Sequence, residues 1–134
     1  MTVNRTTKGR PPIQIRASEA ERISNLALGA EARMPEVADL LLTEIERAKV
    51  VPDDRLPDDV VAMKSVVRFA DEASGVERTL QVVYPPEADI EAGRVSILSL
   101  VGAGLLGLRT GQSINWPDRS GNNRLLRIIE VKQA

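Results

Sequence analysis

The sequence predicts an α+β protein: an antiparallel helical hairpin, or short coiled coil, followed by a mostly antiparallel β-sheet with one short helix. Three observations carry this. Two apolar stripes of helical period lie between residues 18 and 48, a break rich in proline and aspartate spans 51–59, and beyond residue 60 apolar residues alternate with polar ones.

The first helix is expected to start at Ser18, whose hydroxyl can cap the first turn, with Glu21 three residues on completing a capping box. Ile23, Leu26, Ala27 and Ala30 follow at helical spacing, and Gly29 either ends the helix or weakens it. Met34-Pro35 restarts the pattern, because proline suits the first helical position and disfavours helix in the residue before it. Val37, Leu41, Ile45 and Ala48 make the second stripe, widened by Leu40 and Leu42. Two striped helices with a short connection form an antiparallel hairpin.

After the break, Val61, Met63, Val67 and Phe69 face one way and Lys64 and Arg68 the other, the pattern of a half-buried strand. The chain turns at 71–75 and returns through Leu80, Val82 and Tyr84, closed by Pro85-Pro86. Segments 95–98, 112–116 and 124–131 supply three more strands, and 101–106 a short helix. Residues 118–123, rich in Ser, Gly and Asn, make a hairpin turn. The chain thus divides into a basic flexible tail (1–16), a hairpin (17–50), a linker (51–59) and a sheet domain (60–134). The sheet domain is expected to fold alone.

Composition narrows the function. No cysteine is present, which removes disulfides and thiolate chemistry, and no histidine, the commonest general base and metal ligand. Phe69, Tyr84 and Trp116 are the only aromatics, too few for a base-stacking platform or an aromatic-lined pocket. No serine has a recognisable base beside it, and the paired aspartates at 53/54 and 58/59 read as solvated linker charge. These absences point to a non-enzymatic protein with no cofactor and no metal.

The longest apolar run, 99–108, holds three glycines and falls well short of a membrane span, and no apolar signal segment is visible. A cytoplasmic monomer away from membranes is expected. Gly102-Ala-Gly104-Leu-Leu-Gly107 satisfies the dinucleotide pattern G-x-G-x-x-G, but Arg109-Thr110-Gly111 follows at once and leaves no room for a full crossover helix. The glycines read instead as small residues that let a short helix pack tightly. Net charge is −1, divided into +4 over residues 1–16 and −5 over the remainder, so the tail is the part suited to a polyanion. Within it Lys8-Gly9-Arg10-Pro11 resembles the core of the AT-hook. That makes Lys8 and Arg10 candidate DNA contacts, though a solvated basic tail shows the same four residues.

The run from Leu80 through Tyr84-Pro85-Pro86 to Asp89, and then Ser96-Ile-Leu-Ser-Leu-Val-Gly-Ala-Gly-Leu-Leu-Gly-Leu-Arg-Thr-Gly-Gln-Ser-Ile-Asn-Trp116, resemble the C-terminal domain of the GreA/GreB transcription factors. Met34 to Ala48 and Leu56 to Met63 are similar to the short-armed Rnk branch of that family. The likeness covers about residues 13–132.

The resemblance implies an FKBP-like fold for the sheet domain, RNA polymerase as partner and the mouth of its secondary channel as the docking place. It puts the polymerase contacts on Ser99, Leu100, Val101 and Gly102 and on the hairpin tip with Glu31, Arg33 and Glu36. The family's docking loop reads Ser-Pro-x-Gly-Lys/Arg, where this chain has Ser99-Leu100-Val101-Gly102-Ala103. Gre arms are long coiled coils whose acidic tip holds a catalytic magnesium. Here the first helix would span only ~18 Å at 1.5 Å per residue, and Glu31 and Glu36 lack the family's Asp-x-x-Glu spacing. A polymerase-binding regulator without transcript-cleavage activity is the expectation. The alternatives are DNA binding through the tail and, from the fold alone, prolyl isomerisation.

Overall fold

The computed structural model describes residues 10–134. Helix α1 (Ala17–Ala30) and helix α2 (Pro35–Arg47) form the expected hairpin, with Pro35 opening α2. Ile23, Ala27 and Ala30 of α1 and Ala38 and Leu41 of α2 are buried, and Val37, Leu40, Leu42 and Ile45 pack against the same core. Gly29 lies inside α1 with open space around it, so it weakens the helix without ending it.

The start of α1 differs from the expected capping box. Ser18 makes no cap for its own helix. Instead its backbone N–H donates to Asp53 Oδ1 at 3.0 Å and its hydroxyl donates to Oδ2 of the same carboxylate. An acidic side chain from the linker therefore satisfies an orphan donor of the first turn, where negative charge is favoured. These bonds hold the Asp53 carboxyl below the usual carboxylate range.

Strand β1 (Gln14–Arg16) precedes α1, and strand β2 (Lys49–Val51) follows α2 and pairs parallel with it. The assignment of 1–16 to a flexible tail is corrected for residues 10–16. Ile13 and Ile15 are 2% exposed, and Gln14 N–H donates to the Gly107 carbonyl at 3.2 Å. Two isoleucines with one residue between them are too short a pattern to identify a strand. Their burial is decided by the distant Gly107 turn, which receives Ile13 because glycine there has φ +82° and no side chain.

Strands β3 (Val66–Asp71), β4 (Glu77–Val83), β5 (Arg94–Ser96), β6 (Ser113–Pro117) and β7 (Asn123–Lys132) form one curled sheet in the order β5-β4-β3-β7-β6. All pairs are antiparallel except β4 with β5. The parallel pair arises because the chain crosses from β4 through two single-turn helices, Pro85–Glu87 and Ile90–Ala92, before entering β5. Helix α3 (Leu100–Leu105) follows β5. The predicted alternation at β3 holds, with Val61, Met63, Val67 and Phe69 buried and Lys64 and Arg68 exposed. The strand itself begins later because Ala62–Ser65 form a turn in which Lys64 takes φ +69°, a conformation that costs a lysine energy.

Hairpin and sheet share one hydrophobic cluster, in which Ile23, Ala27 and Leu41 of the hairpin join Val67, Phe69, Val82 and Ile128 of the sheet. Polar contacts reinforce the junction. Glu19 on α1 accepts from the Met63 N–H at 3.2 Å, and the Arg22 guanidinium lies 3.7 Å from the Tyr84 ring centroid. This sharing argues against unaided folding of residues 60–134. That fragment is expected to give collapsed, poorly dispersed amide NMR signals where the full chain gives dispersed ones. Dispersed signals from the fragment would show that the sheet domain closes its own core.

Burial raises the Glu19 carboxyl above its ordinary value, against the lowering effects of the Met63 N–H and of Arg16. A carboxyl with a raised folded pKa binds its proton more tightly when folded. Its contribution therefore turns unfavourable as pH rises through the window between the unfolded and the folded value. Glu19→Gln keeps an oxygen for the Met63 N–H and removes the titration. Its melting temperature relative to the unsubstituted protein is expected to climb as pH rises above the ordinary glutamate value. A constant difference would mean that Glu19 titrates alike folded and unfolded.

Candidate functional site

The turn between β5 and α3 is built from serines and glycines with assigned tasks. Ser99 caps α3, its Oγ accepting from the Gly102 N–H at 3.1 Å and donating to the Ser96 carbonyl at 2.6 Å. Ser96 Oγ accepts from the Leu98 N–H at 3.0 Å. A Cβ on Gly102 would collide with the Ser96 carbonyl oxygen, and one on Gly104 would stand 2.8 Å from the Trp116 ring. The Trp116 indole N–H donates to the Leu100 carbonyl at 2.7 Å. The G-x-G-x-x-G run is thus a seat for the six-residue α3 on an indole ring, with no long helix behind it.

Two apolar depressions meet over this turn. The first, about 800 Å³, lies between Leu26, Met34 and Val37 of the hairpin and the Pro85-Pro86 corner. The second, about 870 Å³, lies against the sheet, with Phe69, Leu80 and Leu126 in its lining and Val76 and Ile90 exposed at 58% and 76%. Ser96, Ser99, Leu100 and Arg119 line both, so the two form one trough.

Of the residues singled out in the sequence, Arg33, Ser99 and Leu100 come together in the first depression, and Val101 joins Leu100 in the second. Val101 is half-buried and also packs on the main core. Gly102 is buried beneath the turn. Glu31 and Glu36 are exposed near the tip of the hairpin and line neither depression. Lys8 lies outside the described residues. Arg10 turns inward: its guanidinium lies 3.3 Å from Glu44 and 4.7 Å from the Trp116 ring centroid.

Sequence reasoning missed Glu44 and Arg119. Glu44 is 2% exposed, and Arg47 holds it through two bonds, 2.6 Å and 3.0 Å, while also donating to the Pro11 carbonyl. Nothing in a helical stripe marks a glutamate whose partner lies 34 residues away. Arg119 is one polar residue in a polar turn, and only the fold brings it beside Leu100. On the rim of the second depression Arg124 bonds both Asp118, at 3.0 Å, and Asp71, at 3.4 Å. Arg124, together with the Asn122 and Ser120 N–H groups, holds the Asp118 carboxyl below its ordinary range. Among the described residues no cluster of three or more acidic side chains is placed to hold a metal ion.

A sheet carrying a short glycine-rich helix, fronted by a helical hairpin and an apolar trough, matches known proteins along nearly its whole length. Residues 56–133 match the family model of the GreA/GreB transcription elongation factor C-terminus, and this chain belongs to that family. Its first part, residues 11–51, matches the Rnk N-terminus. The regulator of nucleoside diphosphate kinase of Escherichia coli K12 is 38% identical over 92% of this chain and 90% of its own. The GreA factor of Azorhizobium caulinodans is 36% identical over 78% of this chain, which spans only 63% of that relative. The solved GreA/GreB factor of Nitrosomonas europaea superposes with a TM-score of 0.71 at 40% identity, covering 92% of this chain and 99% of that one.

The Arg10–Glu44–Arg47 group meets the Trp116 ring, which lines the second depression, and its removal has a direct readout. Glu44→Ala leaves two guanidinium groups in a largely buried place without their carboxylate and is expected to cost about 3 kcal/mol or more. Arg10→Ala is expected to cost less and to change the emission of Trp116, the only tryptophan. Urea melts followed by that fluorescence check both. An unchanged spectrum for Arg10→Ala would place the guanidinium elsewhere in solution.

Proposed function

We propose that this chain is a non-catalytic transcription regulator that binds RNA polymerase at the mouth of the secondary channel, where it competes with longer-armed Gre factors. One observation carries the reading: a Gre-type sheet domain is joined to a hairpin too short for the Gre task. Helix α1 has 14 residues and α2 has 13, so the arm reaches only ~20 Å at 1.5 Å per residue. Its tip offers Glu31 and Glu36 without the Asp-x-x-Glu spacing implied for a magnesium-holding tip. Docking runs through the trough around Ser99–Gly102 and through the hairpin tip. The division into an arm (17–50) and a docking body (60–134), an FKBP-like relationship for that body, a cytoplasmic location and a monomeric state belong to the same reading.

DNA binding through the basic tail is the weaker alternative, since Arg10 is engaged by Glu44 and Trp116 and a phosphate would have to displace it. Prolyl isomerisation gains little: Phe69 and Trp116 come to one depression but are 2% and 1% exposed, which leaves no aromatic wall open to a peptide.

Core RNA polymerase is expected to retain the protein in a pull-down, and an added Gre factor to displace it. Backtracked complexes given the protein and magnesium are expected to keep their transcripts at full length. Cleavage that depends on Glu31 or Glu36 would overturn the non-catalytic assignment, and failure of polymerase to retain the chain would overturn the partner. Leu100 is half-buried in both depressions, so Leu100→Asp is expected to weaken binding by about 2 kcal/mol or more with little change in melting.

A further inference from the structure

We infer that Arg33 and Arg119 act as a guanidinium pair that selects an acidic, apolar segment of the polymerase for the trough; this rests on the polymerase reading above. Arg33 lies just past α1 at the hairpin tip, and Arg119 on the turn between β6 and β7. They are far apart in sequence, yet both line the first depression together with Ser99 and Leu100. Both are exposed, and among the described residues neither pairs with a carboxylate.

The other groups of the trough do not oppose this charge, and Arg78 in the second depression adds to it, its guanidinium lying 5.9 Å from the Phe69 ring centroid. The Ser96 and Ser99 hydroxyls are held in bonds of their own turn. Asp71 and Asp118, the only carboxylates of the lining, are both bonded to Arg124. What the trough offers a partner is therefore apolar surface and uncompensated positive charge. A basic segment would meet like charge in a groove that excludes water as it fills, which costs more there than on an open surface. A carboxylate meets planar, multi-donor groups suited to it. Nucleic acid fits the charge, but not the apolar walls or the exposed Val76 and Ile90 at the rim.

The test uses the full-length chain and core RNA polymerase, with affinity measured for Arg33→Glu, Arg119→Glu, both together, and Arg119→Lys. Each charge reversal is expected to weaken binding about tenfold and the pair about a hundredfold, with Arg119→Lys, which keeps the charge and loses the planar fork, weakened less than Arg119→Glu. Added salt is expected to weaken the unsubstituted protein more than the double variant. Melting temperatures are compared throughout, and Arg33→Gln with Arg119→Gln serves if a reversal unfolds the chain; that neutral pair is expected to lose about tenfold. A double variant that binds polymerase as tightly as the unsubstituted protein overturns this inference and leaves the polymerase reading standing. No binding by the unsubstituted protein overturns both. Duplex DNA that binds the chain, displaces it from polymerase and loses affinity in the same variants would make nucleic acid the occupant, against the inference.

Discussion

The indole of Trp116 is the contact on which the arrangement of the other parts depends. One ring packs so closely on Gly104 that no larger residue fits between them, and its N–H fixes the Leu100 carbonyl at the start of α3. A guanidinium from Arg10 lies over the ring, and that group in turn meets Glu44 on α2. Sheet, short helix, hairpin and N-terminal segment are thereby tied at one point. The position of Leu100, shared by both depressions, follows from this tie.

Burying Glu44 is tolerable only because two arginines and a close bidentate geometry replace the water it loses. Such a group adds little net stability over an apolar core, but it discriminates strongly against other arrangements of residues 10–13. Gln112, which donates to the Pro12 carbonyl, and the Gly107 turn, which receives Ile13, act in the same sense. Residues 10–16 are thus a strap tied to α2, to the Gly107 turn and to Gln112.

The trough divides its labour. Serines and glycines shape the turn, apolar side chains from the hairpin and the sheet line the two depressions, and arginines at the edge supply charge.

Much of this was legible in the residues themselves. The stripes Ile23-Leu26-Ala27-Ala30 and Val37-Leu41-Ile45, the Pro35 restart and the alternation from Val61 to Phe69 are local patterns, and local hydrogen bonding with one buried face is enough to turn them into helices and a strand. The turn at 118–123 and the packing role of the 102–107 glycines could be read for the same reason. The Ser18 capping box failed because a carboxylate 35 residues away, Asp53, competes better for the same N–H. The β1–β2 pairing, the parallel β4–β5 pair, the inward turn of Arg10 and the placing of Arg33 and Arg119 on one depression all join residues remote in sequence. Their energies exist only once the core has closed and removed the alternatives that water offers, so the sequence determined the elements and the tertiary structure decided which charges are left free to meet a partner.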